Sequence, residues 1–596
     1  MTRALLLVLL LLPSFALAQE TAPNKTPNKT PNKTEDPPPK RKGSIKGKVM
    51  SDDGQPLESA NINLNAAKYS GMGDWRQAQT DDEGNFVLDG LASGLYHLSA
   101  STSAYVEAER PLEQKFYRLG DVVTFTLVKG GVITGRVTNG LGEPVIAAPI
   151  RLERVSDLEG RKINSEWWYG QQRKTDDRGV YRVYGLPAGR YVVSVGGKAP
   201  YRHGSSTAYE SDTPTFYPSA SREGATEITV NIGEEVRGID IRYRHEKGHS
   251  ISGKVTGAPA DNSLLSYSIQ VELHRYPGNA LEMSLYIQAT DPTKSFEFIT
   301  VPDGEYELIA NVYAGENKDS YQSNRRRVTV KGGNVTNVEL RLSPLSSIEA
   351  KLEWEATPEK ERKAECQTTR PLNAEETMFW LVKDDPKPAN PLSVDAVLRH
   401  DLPTEKGELK YQNLEAGVYR FSPRLLDEAW YIKSILAKDD APKPKAQNPK
   451  LPPPPDLGKQ GIALKAGEKR KDIVLTLANG AASVRGRVVA EKDQALPSRL
   501  RIHLVPAEKE AADDLLRYAE QKTKDGTFTF ANLAPGKYWL LARRVPDDEA
   551  DGKRVNLLAW DVTTRKTLRA EAEATNNAIE LTPCQRVKEH KLTFGK

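Results

Sequence analysis

One short pattern recurs five times along the chain, and it restricts the fold more than any other feature of the sequence. Each copy has an apolar residue, a second one two positions later, and a leucine or valine three positions after that. A glycine then falls eight residues after the first position and a tyrosine ten residues after it. The fixed spacing indicates five repeats of one folding unit. The five pairs are Gly94 and Tyr96, Gly189 and Tyr191, Gly304 and Tyr306, Gly417 and Tyr419, and Gly536 and Tyr538.

The pattern predicts a strand, a tight turn and a second strand, because alternation at period two buries one face and glycine tolerates the turn conformation. A further alternating strand precedes four copies, as "SIKGKV", "VITGRV", "SISGKV" and "SVRGRV", and weakens to "SIEAKL" in the fourth. Each unit closes with another alternating segment. Successive tyrosines lie 95, 115, 113 and 119 residues apart, which fits β-sandwich domains in tandem.

These repeats give the domain organisation. We expect an all-β array of five β-sandwiches at residues 44–128, 129–246, 247–344, 345–478 and 479–596, with a Pro-rich loop at 441–458 in the divergent fourth. Two helical insertions are predicted in the last domain. One lies in "PAEKEAADDLLRYAEQK", where Ala512, Leu515, Leu516 and Ala519 share a helical face, and the other around "RKTLRAEAEAT".

The N-terminus has the features of an export signal. Residues 1–18 combine Arg3, an apolar run and small residues at Ala16 and Ala18, which predicts a signal peptide cleaved after Ala18. Residues 19–43 repeat PNKT three times and predict a disordered linker. No later stretch has the roughly 20 apolar residues of a membrane span. The mature chain is therefore expected to be secreted, periplasmic or at the cell surface.

Several segments of the sequence resemble a known family. "GQPLESANINL", "TDDEGNFVLDGLASGLYHL" and "TDDRGVYRVYGLPAGRYVVSV" are similar to the carboxypeptidase regulatory-like domain, a transthyretin-like sandwich found in tandem in secreted bacterial proteins. The resemblance is strong over Gly43–Arg244 and in the last domain and weaker in domains three and four. It implies transthyretin-like or immunoglobulin-like sandwiches. Because these modules do no chemistry in carboxypeptidases, it implies architecture rather than activity.

The segment HEKGH, from His245 to His249, fits the zinc-protease signature H-E-x-x-H. That signature binds zinc only on a helix, where two histidines four residues apart share one face. Here alternating strands lie on both sides and Gly248 lies inside, so we interpret HEKGH as a linker between domains two and three. No metal, cofactor or catalytic residue is predicted.

Two further features of the sequence are candidate sites. The turns "TDDEGN" and "TDDRGV" could bind calcium, but each shows about three of the six or more oxygen ligands required, and Asp and Gly in such places usually shape a hairpin. The two cysteines, Cys366 and Cys584, could form a disulfide in an oxidising compartment, and the sequence leaves their pairing open.

Domain two carries the dense aromatic residues outside the repeat. They occur in two long excursions, and Arg173 and Arg202 lie near them. If the excursions converge, a shallow aromatic platform for sugar rings or a peptide is expected, whereas the alternative is that these rings cap the core. The tentative ligand-binding residues are Trp167, Trp168, Tyr169, Phe216 and Tyr217.

The near-balanced net charge of +4, with basic and acidic residues interspersed, gives no nucleic-acid footprint. The sequence thus predicts an exported, non-enzymatic protein that acts as a binding or structural module at the cell envelope. Its expected partners are a polysaccharide or an envelope protein. Two alternatives are carbohydrate binding by a starch-binding-like fold and an accessory role in a metallopeptidase system.

Overall fold

The structure is a computed structural model of the chain. It describes residues 42–67, 75–107, 115–158, 160, 162–167, 173–197, 208–257, 268–277, 280–288, 290–313, 319–355, 366, 373–384, 398–437, 456–490, 495–546 and 557–594. The predicted signal peptide, nearly all of the PNKT linker and most of the Pro-rich loop lie outside these residues. Among the described helices, none has the length and apolar character needed to cross a membrane.

The described chain folds into β-sandwiches, as the repeat predicts. Five of the hydrophobic clusters among the described residues are sandwich cores, and each draws its buried residues from one stretch of chain, at 45–127, 133–243, 251–342, 348–477 and 482–592. The protein is therefore an all-β tandem array of sandwiches. The boundaries predicted from the sequence remain our proposal for where one domain ends and the next begins.

The first two sandwiches each place their strands in two sheets. The first has strands β1 (Gly43–Ser51), β2 (Asn61–Ala66), β3 (Trp75–Gln79), β4 (Asn85–Leu91), β5 (Tyr96–Ser101), β6 (Tyr105–Glu107) and β7 (Val122–Lys129). Its sheets have the orders β4-β1-β7-β6 and β3-β2-β5. The second has β8 (Gly131–Thr138), β9 (Pro149–Ser156), β10 (Lys162–Trp167), β11 (Arg173–Lys174), β12 (Val180–Leu186), β13 (Gly189–Val195), β14 (Thr215–Phe216), β15 (Ile228–Val230), β16 (Glu235–Val236) and β17 (Ile241–Arg242). Its sheets are β12-β8-β16, with β17 also on β8, and β10-β9-β13-β14, with β11 on β9 and β15 on β13.

In the third sandwich a single path of strands joins both layers. It has β18 (His249–Thr256), β19 (Ser268–Arg275), β20 (Ala280–Gln288), β21 (Ser295–Val301), β22 (Gly304–Val312), β23 (Tyr321–Ser323), β24 (Arg326–Val330) and β25 (Val335–Pro344). The order is β20-β19-β22-β23-β25-β18-β21, with β24 on β22. The short strand β23 pairs with both β22 and β25 and so connects the two layers.

The last two sandwiches again have two sheets each. The fourth has β26 (Ser346–Glu355), β27 (Thr377–Lys383), β28 (Leu398–Asp401), β29 (Glu408–Leu414), β30 (Gly417–Leu425), β31 (Trp430–Ala437), α1 (Leu457–Gln460), β32 (Ile462–Leu464) and β33 (Lys469–Asn479). The fifth has β34 (Ala482–Ala490), β35 (Leu500–Pro506), β36 (Ala519–Thr523), β37 (Thr527–Leu533), β38 (Gly536–Arg544), α2 (Val562–Thr575), β39 (Ala578–Leu581) and β40 (Arg586–Phe594). Their sheets are β29-β26-β33-β31 and β28-β27-β30-β32, then β37-β34-β40 and β36-β35-β38-β39. Single 3₁₀ turns occupy Ala208–Ser211, Ala374–Glu376, Leu515–Arg517 and Leu558–Trp560.

One arrangement is common to all five units. The first strand of each lies between an antiparallel neighbour, which carries the start of the repeat pattern, and a parallel strand from the end of the same unit. The same pairing holds for β18, β26 and β34. Each sandwich is therefore closed by pairing its own last strand with its own first strand.

The repeated glycine and tyrosine form one local structure in every unit. The five glycines have positive φ between 147° and 157°, and none lies in a helix, so the prediction of equivalent turns is confirmed. Each tyrosine hydroxyl donates to the carbonyl four residues earlier, which fastens the turn to the strand that follows. The bonds run from Tyr96 to Ala92 (2.7 Å), Tyr191 to Pro187 (2.5 Å), Tyr306 to Pro302 (2.9 Å), Tyr419 to Glu415 (2.9 Å) and Tyr538 to Ala534 (2.7 Å).

Removing one of these hydroxyls is expected to loosen its turn. Tyr306→Phe deletes a bond of about 1 kcal/mol, so the amides of β22 should exchange with solvent about fivefold faster. Native-state hydrogen exchange of the full chain measures this locally. Tyr286→Phe in the same domain is the control, because Tyr286 is 62% exposed. Equal exchange rates of the β22 amides in both variants would contradict a stabilising role for the Tyr306 hydroxyl.

The predicted helices of the last domain have different outcomes. The segment around "RKTLRAEAEAT" is helical in α2, whose Leu568 and Ala572 pack with Val505 and Leu541 on the outer face of the sheet. The other prediction is wrong. Its second half is the 3₁₀ turn Leu515–Arg517 followed by β36, which pairs with β35, so sheet formation outweighs local helix propensity.

Contacts between the sandwiches are close. A single residue separates β7 from β8 and β25 from β26, and two separate β33 from β34. The first and fourth sandwiches, distant in sequence, also share an apolar cluster, which we call the closure contact: Ala67 and Leu95 pack with Met378 and Leu402. Beside it, Arg118 pairs with the buried carboxylate of Glu376 at 3.6 Å. The first and fourth sandwiches are therefore in contact.

Candidate functional site

The HEKGH segment lies between β17 and β18, and only His249 belongs to a strand. His245 has a positive φ of 52°, so the segment is not helical. The two histidines face different carboxylates: His245 Nδ1 lies 3.2 Å from Asp212 Oδ2, and His249 Nε2 lies 3.3 Å from Asp303 Oδ1. This geometry does not bring the two imidazoles together as a zinc-protease helix would.

Asp212 organises this joint. Its buried carboxylate accepts a hydrogen bond from the Tyr243 hydroxyl at 2.9 Å and pairs with Lys247 as well as contacting His245. Burial raises the pKa of Asp212, but the hydrogen bonds from Lys247, Tyr243 and His245 outweigh it and leave the pKa below its ordinary value. The polar residues around HEKGH thus have a structural explanation.

We expect purified protein to contain no stoichiometric zinc, because the imidazoles of His245 and His249 contact separate carboxylates. Elemental analysis of the mature chain, with His97→Ala as the control variant, tests this. One zinc per chain that is lost in both His245→Ala and His249→Ala, but kept in His97→Ala, would contradict it.

The acidic turns are accounted for by backbone bonding. Asp81 Oδ1 accepts the Asn85 amide at 2.7 Å, and Asp176 Oδ1 accepts the Val180 amide at 2.7 Å. The pKa of Asp176 is lowered, mainly by the hydrogen bond from the Val180 amide. The preceding threonine of the second turn, Thr175, is buried and bridges the Ala148 amide and the Val145 carbonyl. These contacts support the hairpin interpretation for Asp81 and Asp176. In the first turn the exposed carboxylates of Asp81, Asp82 and Glu83 also lie within 4.8 Å of one another.

The predicted aromatic platform is only partly described. Trp167 ends the edge strand β10, opposite Glu153, and its side chain is not described, while Trp168, Tyr169 and Arg202 lie outside the described residues. Phe216 is 2% exposed, so its ring packs inside the protein and offers no open stacking face. Tyr217 is half-buried against the core of domain two. For Phe216 and Tyr217 the contacts therefore follow the core-capping alternative.

A charged cluster lies next to Phe216. Arg222 bonds Glu153 through two contacts of 3.1 Å and lies over the Phe216 ring at 5.7 Å. Glu282 of domain three pairs with Arg275 at 2.6 Å. Burial raises the pKa of Glu282, and the charges of Glu153 and Arg222 in domain two also act on it. We infer that these groups form the packed joint between domains two and three rather than a binding site.

The aromatic that sequence reasoning missed is Tyr184. The Arg173 guanidinium lies 4.0 Å above its ring and that of Arg182 lies 6.0 Å away, both within cation–π range. Tyr184 belongs to the repeat, where it alternates with the buried residues Tyr181 and Val183. The signal available in the sequence was its position on the opposite face of β12 from these two.

The two cysteines are joined. Cys366 of the fourth sandwich is bonded to Cys584 of the fifth, with Cα atoms 5.1 Å apart, inside the usual range for a disulfide. The contact between these two sandwiches is also held by Asn532, whose side-chain Nδ2 donates to the backbone carbonyls of Asp427 (2.7 Å) and Trp430 (2.8 Å). The fourth and fifth sandwiches are therefore fixed to one another covalently and by hydrogen bonds.

Comparison with known proteins agrees with the sequence resemblance over the first sandwich. Residues 44–126 match the family described as "Carboxypeptidase regulatory-like domain". The first sandwich is thus similar to this domain type. The matched range runs from β1 into β7 and includes all or most of every strand in that domain's two sheets. No curated protein matches the chain.

Several solved structures of bacterial proteins are similar to parts of the chain. The Bacillus anthracis TIE protein is 16% identical, with 50% of each chain covered and a TM-score of 0.13, so this chain spans about half of that one. The minor pilin GBS52 of Streptococcus agalactiae is 15% identical, covers 34% of this chain and 96% of its own, and has a TM-score of 0.18. Two B repeat units of the Staphylococcus aureus collagen binding protein are 11% identical, cover 74% and 100%, and have a TM-score of 0.14. These scores are low, and nothing about function follows from them.

Proposed function

We propose that this chain is an exported, non-enzymatic protein that acts as a binding or structural module at the cell envelope. The observation that carries the proposal is the way in which the sandwiches are fastened together. The closure contact, the Cys366–Cys584 disulfide and the one- and two-residue connectors restrict domain motion. A fixed array of sandwiches presents its loops and sheet faces at constant positions, as recognition or a structural role requires.

The polar residues with motif-like spacing support the non-enzymatic part of the proposal. The histidines of HEKGH contact carboxylates at a domain joint, and Asp81 and Asp176, the first aspartates of the two acidic turns, accept backbone amides within those turns. Export is supported by the apolar N-terminal segment, which ends in small residues at Ala16 and Ala18. An oxidising compartment outside the cytoplasm would also maintain the disulfide.

A binding screen of the mature protein against immobilised envelope polysaccharides and peptidoglycan tests the proposed function. We expect retention on at least one of these polymers without release of sugar or peptide. Turnover of any polymer by protein that keeps its β-sheet circular dichroism would contradict the non-enzymatic proposal. Absence of binding to every polymer and to envelope proteins would leave only the structural role.

The closure contact gives a direct test of the fixed array. Met378→Glu places a charge in the fully buried cluster, so the first and fourth sandwiches should separate and the radius of gyration in solution should increase. Small-angle X-ray scattering measures this. Val122→Glu, at a residue that is 82% exposed, is the matched control and should leave the radius unchanged. An unchanged radius in folded Met378→Glu protein would mean that this contact does not fix the array.

Carbohydrate binding is a second candidate, and Tyr184 favours it. An aromatic ring flanked by two guanidiniums on the outer face of a sheet combines an apolar surface with hydrogen-bond donors, and both are used to bind sugars. The metallopeptidase-accessory alternative has no comparable support among the described contacts.

A further inference from the structure

The outer face of one sheet in the second sandwich is rich in arginine. The sheet is built from β8, β12, β16 and β17, and its inner side chains, such as Ile133, Val137 and Tyr181, belong to the buried core. The opposite side, its adjoining turns and Arg173 of β11, a strand of the other sheet that reaches Tyr184, carry six guanidiniums, which we call the arginine face. They belong to Arg136, Arg173, Arg178, Arg182, Arg237 and Arg242.

Strand register places these side chains on one surface. Arg182 lies opposite Thr134, and Arg242 lies opposite Thr138 on the other side of β8. Arg136 lies between these two threonines in β8, and alternate residues of one strand point to the same face. The three arginines therefore project from three neighbouring strands of the same sheet.

The arginine face is open to solvent and carries more positive than negative charge. The Arg237 side chain is 78% exposed and that of Arg182 is 52% exposed. Both contact one carboxylate, Glu235, at 3.1 Å and 2.9 Å, so that two guanidiniums share a single negative charge. Three further carboxylates lie among the six guanidiniums: Asp176, which pairs with Arg178, Asp177, which also acts on Arg178 electrostatically, and Asp240, which accepts the Arg136 backbone amide. Six cations thus face four carboxylates.

Part of the arginine face is held in a fixed orientation. Arg173 stacks on the Tyr184 ring and also donates to the Arg182 carbonyl at 3.3 Å. Arg136 Nε donates to the Arg178 carbonyl at 3.0 Å, and Arg242 donates to the Gly140 carbonyl at 2.8 Å. Each of these guanidiniums keeps further N–H groups for a ligand, because arginine has five donors. Their prior ordering reduces the entropy lost on binding.

The equivalent face of the third sandwich is balanced in charge. There Lys254 of β18 lies between Ser295 of β21 and Glu339 of β25, and Arg341 and Glu297 occupy neighbouring positions. Two cations thus meet two carboxylates on the same topological surface. The excess of arginine in domain two is therefore not a general property of the repeat.

We infer that the arginine face binds an acidic polysaccharide whose sugar units carry carboxylates. The inference rests on the proposed function as a binding module at the cell envelope. Guanidinium groups bind carboxylates through paired N–H donors, which a flexible ammonium group does less well. Neighbouring strands are about 4.8 Å apart and alternate residues about 6.7 Å apart, so the cations form a shallow lattice that an extended polymer with regularly spaced anions can cross.

The test uses the mature full chain and polygalacturonate as the probe. Arg136→Gln, Arg182→Gln and Arg237→Gln combined should weaken binding at least tenfold, and wild-type binding should fall as salt concentration rises. Lys254→Gln with Arg341→Gln is the matched control on the third sandwich and should change affinity less than twofold. The single variant Arg237→Glu should weaken binding at least threefold. It should remain folded, because the Arg237 side chain is 78% exposed.

The outcomes separate this inference from the proposed function. Retention on a neutral glucan or on peptidoglycan but not on polygalacturonate would overturn the inference and leave the proposed function standing. Equal polygalacturonate binding by wild type and folded Arg variants would assign the ligand to another surface and overturn the inference. Binding to duplex DNA as tight as that to polygalacturonate would overturn the carboxylate specificity. Failure to bind any polymer, polygalacturonate included, would overturn the inference and the binding part of the proposed function, and would leave only the structural role.

Discussion

Replacing Cys366 and Cys584 by serine is expected to destabilise the fourth and fifth sandwiches by about 2–5 kcal/mol. The disulfide spans 218 residues of sequence, and in the chain-entropy description a longer closed loop gives a larger stabilisation. Both cysteines are buried, so the serines would also place hydroxyls in apolar surroundings. Hydrogen exchange in β33 and β40, one strand from each sandwich, measures the effect where a single unfolding transition of a multidomain chain would not.

Reduction gives the matched control for this prediction. Dithiothreitol should accelerate exchange in wild-type protein to about the rate of the double serine variant and should leave that variant unchanged. The prediction would fail if unreduced, folded protein had two titratable thiols. It would also fail if wild-type exchange were insensitive to the reductant.

The sequence predicted the strands and turns well because their signals are local. Alternation at period two and a glycine eight residues into each copy depend only on neighbouring residues, and the five tyrosine-to-carbonyl bonds show that these neighbours form one unit. The cysteine pairing could not be read in this way. It depends on how two sandwiches meet, and the residues on either side of Cys366 carry no pattern that reveals its distant partner.

The sequence of β27 contains a signal for the closure contact. Strand β27 reads TMFWLVK, and its residues are buried on both faces rather than alternately, since Met378 is buried as well as Phe379. A continuous apolar run is typical of a sheet covered on both sides. Strand β35 is also buried on both faces, with α2 covering its outer face, but Arg501 and His503 interrupt its apolar residues. Such runs indicate that a second layer exists, but the identity of that layer follows only from the folded chain.

The candidate site was less predictable than the fold. Phe216 appeared in a segment of turn residues, and nothing local distinguishes a ring that packs inward beneath Arg222 from one that faces solvent. The arginine face is also invisible to composition, since its six residues lie between positions 136 and 242 among many acidic residues. Strand register, which brings β8, β12 and β17 side by side, creates it.

Gly253→Ala is expected to destabilise the third sandwich by about 3 kcal/mol or more, at the upper end of the usual cost of overpacking. Gly253 lies in β18 between β21 and β25, and an added Cβ would overlap the Val338 carbonyl oxygen and the Phe296 ring. The carbonyl belongs to the paired backbone, so the strands themselves must move apart. Hydrogen exchange in β18 and β25 should increase accordingly.

Gly333→Ala in the same domain is the matched control, because a Cβ there meets no atom within 4 Å and the backbone does not have a positive φ. The fourth sandwich makes the prediction a demanding one. It carries Ala350 at the position that corresponds to Gly253, in a strand with the same antiparallel and parallel neighbours. Strands β18 and β25 of the third sandwich could move apart to accommodate an alanine at as little free-energy cost as in the fourth. In that case Gly253→Ala will show the exchange rates of Gly333→Ala, and the steric requirement for glycine in this repeat will be refuted.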